Sequence, residues 1–260
     1  MQQSNKGNYQ DFLRQLATLA AIVVAFAINV ISNIFPLNGL NIGEISNTVF
    51  KKVLIIPANY AFAIWGLIYL GLFVFGIYQF LPNQKHDSDL RKTGYFLVIA
   101  SLAQSVWVYL FLSRLFILSV VAMFSILLPL IGTYLRLGIG INPVSRFTKW
   151  CVHFPISIYL GWISVATIVN VACALYFQGW NGWGISDIMW TIIMAVIATA
   201  IAAVIAIQRG DIAYTGVIVW ALLAIAVKQW NNSTLKVVAL LCAIALVGIV
   251  FIKNRSFQRS

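Results

Sequence analysis

The chain is short of charge, and above all of negative charge. Of its 260 residues 9% are charged, and only six are Asp or Glu. A soluble domain carries charge on roughly a quarter of its residues, so this chain cannot cover a water-facing surface, which excludes a water-soluble enzyme and a disordered protein. Cysteine is equally scarce. Cys151, Cys173 and Cys242 all lie in apolar stretches without a Cys-x-x-Cys spacing, leaving neither a disulfide framework nor a zinc site. The two histidines are far apart: His153 lies near the start of an apolar stretch and His86 in a polar connection, so they form no metal pair. No Ser-His-carboxylate set falls inside the apolar segments, and the chain does not read as an enzyme. The formal charge of +11 comes from 17 basic residues spread between apolar segments instead of one patch, so no nucleic-acid surface is indicated.

What the chain has is apolar length: 62% of residues are hydrophobic and the mean hydropathy is +0.93. A bilayer core of about 30 Å needs roughly 20 apolar residues per helical crossing. Eight stretches qualify: about 13–34, 59–81, 94–113, 115–136, 148–177, 187–208, 212–229 and 234–252. The ten-residue alternation of a β-barrel is absent. The expectation is an all-α integral membrane protein with about eight transmembrane helices and the lipid bilayer as its partner. The first stretch starts near Lys6 and Arg14 and contains Ala25-Phe26-Ala27, as a cleavable signal would, but its apolar run continues through Val30 to Ile34. It therefore reads as an uncleaved first crossing.

With eight crossings both termini share one side. That side holds 12 basic residues (Lys6, Arg14, Lys85, Arg91, Lys92, Arg136, Arg146, Lys149, Arg209, Lys253, Arg255, Arg259), against five on the other (Lys51, Lys52, Arg114, Lys228, Lys236). The positive-inside rule then makes both termini cytoplasmic, in a bacterial inner membrane or its equivalent. Trp150, Tyr176, Trp180, Trp183 and Trp230 fall near helix ends, as interfacial aromatics do. Most connections are tight, and Ser113-Arg114 alone joins the third and fourth helices. Residues 36–57 are the exception. A loop this long is usually functional or disordered, and Leu54-Ile55-Ile56-Pro57 is too apolar for a solvated linker, so it is expected to fold back over the bundle.

No carboxylate lies well inside a crossing; Asp187 and Asp211 sit at helix ends. That argues against a proton-driven pump or a retinal protein. Lys228, without a counter-ion, reads as snorkelling to the interface beside Trp230. The crossings instead carry neutral polar and aromatic stripes at helical spacing. These are Ala17, Ala21, Ala25, Asn29 and Asn33 on the first helix, then Phe62, Trp65 and Tyr69 on the second. Gln104, Trp107 and Phe111 follow on the third, and Tyr159, Trp162, Ala166 and Asn170 on the fifth. An amide facing lipid is costly, so the stripes should point inward. The alanine line of the first helix reads as a packing face. On the other three the pattern leaves two readings, helix–helix glue or the wall of a cavity for a flat apolar ligand oriented by Gln104 and Asn170.

These residues resemble the tryptophan-rich sensory proteins, the family of the mitochondrial translocator protein. Tyr159-Leu160-Gly161-Trp162 with Ala166-Thr167 and Asn170 is similar to the family's Tyr-x-x-Trp-x-x-x-Ala-Thr-x-x-Asn. Gln104, Trp107 and Phe111 stand where the family has Asn-x-x-Trp-x-x-x-Phe, and Pro57, Trp65 and Tyr69 follow its second-helix motif. One proline of that motif is missing, and its first aromatic, Tyr60, stands five residues before Trp65 instead of six. The Tyr-plus-basic sterol-contact pattern after the fifth helix is absent, Tyr176 being followed by Phe177-Gln178-Gly179-Trp180.

The resemblance implies a five-helix ligand-binding bundle over residues 1–178, with three additional helices and a short basic tail over 179–260. It implies a cavity under the first loop lined by Trp65, Tyr69, Gln104, Trp107, Phe111, Tyr159, Trp162, Ala166 and Asn170, the small Ala166 leaving room for a ring. It implies porphyrins, haem or similar flat hydrophobes as ligands, with no cofactor required. Lys51, Lys52 and Arg114 are expected on the outer face as contacts for a ligand's anionic groups, or else as ordinary flanking charges. Light-dependent porphyrin breakdown would need only tryptophans beside a photosensitiser and stays open. The competing reading is a small-solute permease in which the last three helices complete a path; broken helices facing each other would mark it. Small-residue lines (Ala198, Ala202, Ala206; Ala239, Ala243) serve either internal packing or a homodimer.

Overall fold

The computed structural model describes residues 2–84 and 87–257, so His86, Lys85 and Arg259 lie outside the described residues. Among those residues there are eight apolar helices and no strand. They are α1 (Gln2–Ile34), α2 (Ile64–Tyr78), α3 (Phe96–Leu112), α4 (Phe116–Arg136), α5 (Phe154–Phe177), α6 (Asp187–Arg209), α7 (Ile212–Lys228) and α8 (Ser233–Phe257). Six spans are long and apolar enough to cross a membrane, and α3 and α7 are shorter apolar helices of 17 residues each. At 1.5 Å per residue, 17 residues reach about 25 Å, the lower end of a crossing. The chain is an all-α integral membrane protein.

The helices depart from the apolar stretches where local chemistry differs from hydropathy. α1 begins at Gln2, well before the expected residue 13, because polar turns propagate a helix that the apolar run has already nucleated. The second crossing opens as a 3₁₀ turn, Asn59–Ala63, and becomes α-helical only at Ile64. The fifth opens with a π-turn, Lys149–His153, in which the Phe154 N–H bonds to Lys149 O. Pro155 follows it; proline has no N–H to offer Cys151 and its ring would strike that carbonyl, so the widened turn relieves both problems.

The first five helices close a ring in the order α1, α3, α4, α5, α2 and back to α1. The α3–α4 hairpin turns at Arg114 with φ +59. α2 meets α5 closely at Gly71, where an added Cβ would lie 3.0 Å from the Pro155 ring. α6, α7 and α8 pack on one another and join the ring mainly through α7 on α5. Gly161 makes that approach possible, since a Cβ there would lie 3.0 Å from Val217. Ala202, Ala206, Ala239 and Ala243 are buried between α6, α7 and α8, so these small-residue lines serve internal packing. Asp211 caps α7 through the Ala213 and Tyr214 N–H groups and accepts the Ser157 hydroxyl of α5 at 2.6 Å.

The long loop does fold back over the bundle. Asn41 and Glu44 form a capping box that starts a short helix, Ile42–Thr48. Its apolar residues then plunge inward: Ile45, Phe50 and Ile56 are buried, and Phe50 stands edge-on to Phe116 at 4.7 Å and beside Phe111 at 6.1 Å. The loop is a lid on one end of the ring. Lys228 lies under this lid, with Nζ 3.4 Å from Asn47 Oδ1, and it is Lys236 that sits over the Trp230 ring. The expected Lys228–Trp230 pairing is therefore replaced by the neighbour one helix turn into α8.

Candidate functional site

Beneath the lid the ring encloses a cavity of about 230 Å³. Its shape follows from helix lengths and side-chain bulk. α5 runs on past the ends of α2 and α3, so its wall offers Trp162, Ala166 and Asn170 on one face at i, i+4 and i+8. Trp65 comes from the first turn of α2, and Trp107 and Phe111 from the last turns of α3. Met123 of α4 and Cys173 of α5 complete the apolar wall, and Ala166 is the small residue that leaves the space open.

The indoles are held individually. Trp107 Nε1 donates to Asn170 Oδ1 at 2.7 Å, Asn170 Nδ2 donates to Ser119 Oγ at 3.0 Å, and Ser119 in turn donates to Phe116 O at 2.7 Å. This buried relay ties α3, α4 and α5 together and fixes the Trp107 plane, on which Phe111 stacks at 5.1 Å. Trp65 stacks on Tyr69 at 5.6 Å and meets Tyr159 edge-on at 6.0 Å. Trp162 meets Phe62 edge-on at 5.7 Å, and its buried Nε1 has no hydrogen-bond partner among the described residues.

Six of the nine ligand-binding positions singled out from the sequence thus line one cavity: Trp65, Trp107, Phe111, Trp162, Ala166 and Asn170. Tyr69, Gln104 and Tyr159 do not line it. Tyr69 is turned toward α1, where its hydroxyl donates to Ala25 O at 3.1 Å, and Tyr159 is packed fully behind Trp65. Gln104 sits one turn below Trp107, 1% exposed, with neither amide atom having a partner among the described residues. Such a group costs roughly 1–3 kcal/mol. Lys51, Lys52 and Arg114 are exposed and none lines the cavity.

Sequence reasoning missed the rim. Asn29 and Asn33 of α1 with Asn41, Ser46 and Asn59 of the lid make its polar edge. The α1 line taken as a packing face is one only as far as Ala21 and Ala25, which are buried; beyond them its two amides border the cavity. Their place at the end of an otherwise small-residue line was the available signal. The walls are aromatic, the rim is uncharged, and the relay holds the rings in fixed planes. Such a space can take the edge of a flat apolar molecule and offer amide donors and acceptors to its polar groups.

Among known families, a model described as TSPO-like protein matches residues 15–252, a span that runs from α1 into α8 and takes in the three C-terminal helices. No curated protein and no solved structure matches the chain.

Proposed function

The chain belongs to the TSPO-like protein family, and from that premise we propose that it is a membrane ligand-binding and sensory protein for tetrapyrroles or similarly flat hydrophobic molecules. The observation that carries this reading is the meeting of Trp65, Trp107, Phe111 and Trp162, from three helices, around one space that Ala166 keeps open. Ligand pockets for drug-sized molecules run to about 300–1,000 Å³, and the space here is about 230 Å³. A macrocycle would therefore enter edge-first, leaving its far edge at the rim of Asn29, Asn33 and Asn59. There its polar substituents would meet amides. Both termini face the cytoplasm in this reading, and the lid faces the opposite compartment, in keeping with the excess of basic residues on the terminal side.

The test is a titration of the protein in nanodiscs with protoporphyrin, haem and a sterol, followed by tryptophan fluorescence. Saturable quenching by protoporphyrin is expected, with affinity lost in a Trp107→Phe/Trp162→Phe variant. Equal affinity in that variant, or no saturable binding of any flat ligand, would refute the reading.

A further inference from the structure

The lid is fastened from behind by α7. Ala58 N–H donates to Ala224 O at 3.1 Å, Gln229 Nε2 donates to Leu54 O at 2.8 Å, and Trp220 Nε1 donates to Ala61 O at 3.1 Å. Trp220 also meets Tyr60 edge-on at 5.2 Å. These bonds fall at Leu54, Ala58 and Ala61, beside Pro57, Asn59 and Phe62, three of the lid-side residues that line the cavity. On the α3 side Asn38 Nδ2 donates to Leu112 O at 3.3 Å, and Phe50 is driven in between the α3 and α4 aromatics. The lid is thus held along the α7, α3 and α4 sides.

The remaining side is different. α1 and α2 are sewn together as far as the Tyr69–Ala25 hydrogen bond, with Phe26 edge-on to Tyr69 and Phe73. One and two turns further toward the lid, α1 presents Asn29 and Asn33 to the cavity, and the facing segment presents Asn59 and Trp65. All four are half-buried or exposed, as are Asn41, Ile42, Gly43 and Phe62 on the lid side and Ala166 and Val169 on α5, whereas Trp107, Trp162 and Asn170 are buried. Among the lining residues only Asn33 and Asn59, which flank this gap, are exposed. The flanks of the gap carry exposed apolar side chains, Ile31 and Ile34 on α1 and Leu67 and Leu70 on α2, which belong in hydrocarbon.

We propose that ligands enter and leave this cavity sideways from the bilayer, between the lid-side ends of α1 and α2, while α7 keeps the lid shut against water. The ligand is then a bilayer-dissolved molecule whose polar groups lie at the lid-side interface, level with Asn29 and Asn33. The inference rests on the ligand-binding reading of the cavity, but its test needs no ligand. Ala166→Cys is placed in a background with Cys151, Cys173 and Cys242 replaced by alanine, and the protein is held in nanodiscs that expose both faces. The thiol is offered a bilayer-soluble maleimide or a charged methanethiosulfonate.

The maleimide is expected to react and the charged reagent to fail. Plugging the gap with Asn29→Trp, or separately with Asn33→Phe should one variant fold poorly, is expected to remove most of the maleimide reaction. Loosening the strap with Trp220→Phe and Gln229→Leu is expected to admit the charged reagent. Reaction of the charged reagent with the strap intact, no reaction with either reagent, or maleimide reaction unchanged in both plugged variants would overturn the proposal. Absence of porphyrin binding would instead refute the tetrapyrrole reading and leave these labelling results as they stand.

Discussion

The Trp107–Asn170 contact allows the rigidity of the cavity wall to be tested quantitatively. Replacing Asn170 with Leu leaves the Trp107 N–H, 2.7 Å from its acceptor in the native protein, buried among apolar side chains. An unsatisfied buried donor costs about 1–3 kcal/mol. Within membranes the coupling between hydrogen-bonded side chains averages only about 0.6 kcal/mol and reaches about 1.7, because the unfolded chain in the bilayer also finds partners. Here the acceptor is shared with the Ser119 relay and Asn170 is 2% exposed, so the upper part of that range applies. Trp107→Phe removes the donor and a part of the ring. In the double variant neither partner is left unsatisfied, so it should be less destabilised than the sum of the two single variants by about 1–2 kcal/mol. Unfolding by sodium dodecyl sulfate titration in bicelles, read by circular dichroism, measures all four proteins. Additive single effects, with coupling near zero, would show that the relay does not fix the Trp107 plane.

Gln104→Leu should raise stability by about 1–3 kcal/mol in the same titration, because it removes two buried amide atoms that lack partners among the described residues; a loss of stability would mean that the amide is satisfied in the folded protein. Gly161→Val places a side chain against Val217 and the Tyr214 carbonyl, and overpacking of this kind costs about 1–3 kcal/mol. Hydrogen exchange at the Ala58 amide should then accelerate as α7 and the lid loosen together, and unchanged protection there would separate the lid from α7. Replacing Lys51, Lys52 and Arg114 by Gln together should leave protoporphyrin affinity and its salt dependence unchanged, since none of the three lines the cavity. Weaker binding with a flatter salt dependence would place a ligand's carboxylates on the outer surface.

The number and order of helices were legible because each crossing must satisfy its own backbone hydrogen bonds, and a run of about 20 apolar residues has few other solutions. Finer features were not legible for stated reasons. The π-turn at Lys149–His153 depends on how the chain accommodates Pro155, and the polar first turns of α1 carry no apolar signal. Trp65, Trp107, Trp162 and Asn170 could be placed on inward faces by spacing alone, and they meet at one cavity. Tyr69 shares Trp65's stripe, but its ring leans toward α1 and its hydroxyl finds Ala25 there, a choice made by a neighbouring helix. Asn29 and Asn33 continue an alanine line, and periodicity cannot tell where packing ends and a cavity begins. The lid's contributions lie further still from sequence reach: Trp220 meets Ala61 across 159 residues and Lys228 meets Asn47 across 181, so only the folded path brings them together.

The most direct measurement fills the cavity without removing any of its hydrogen-bonding groups. Ala166→Trp puts an indole into the space of about 230 Å³ that Ala166 leaves open, one helix turn from both Trp162 and Asn170, while every member of the Trp107–Asn170–Ser119 relay is kept. Protoporphyrin titration of this variant in nanodiscs is expected to show no saturable binding, while its denaturation midpoint stays at or above that of the native protein. Undiminished protoporphyrin affinity in a folded Ala166→Trp protein would place the ligand somewhere other than beneath the lid.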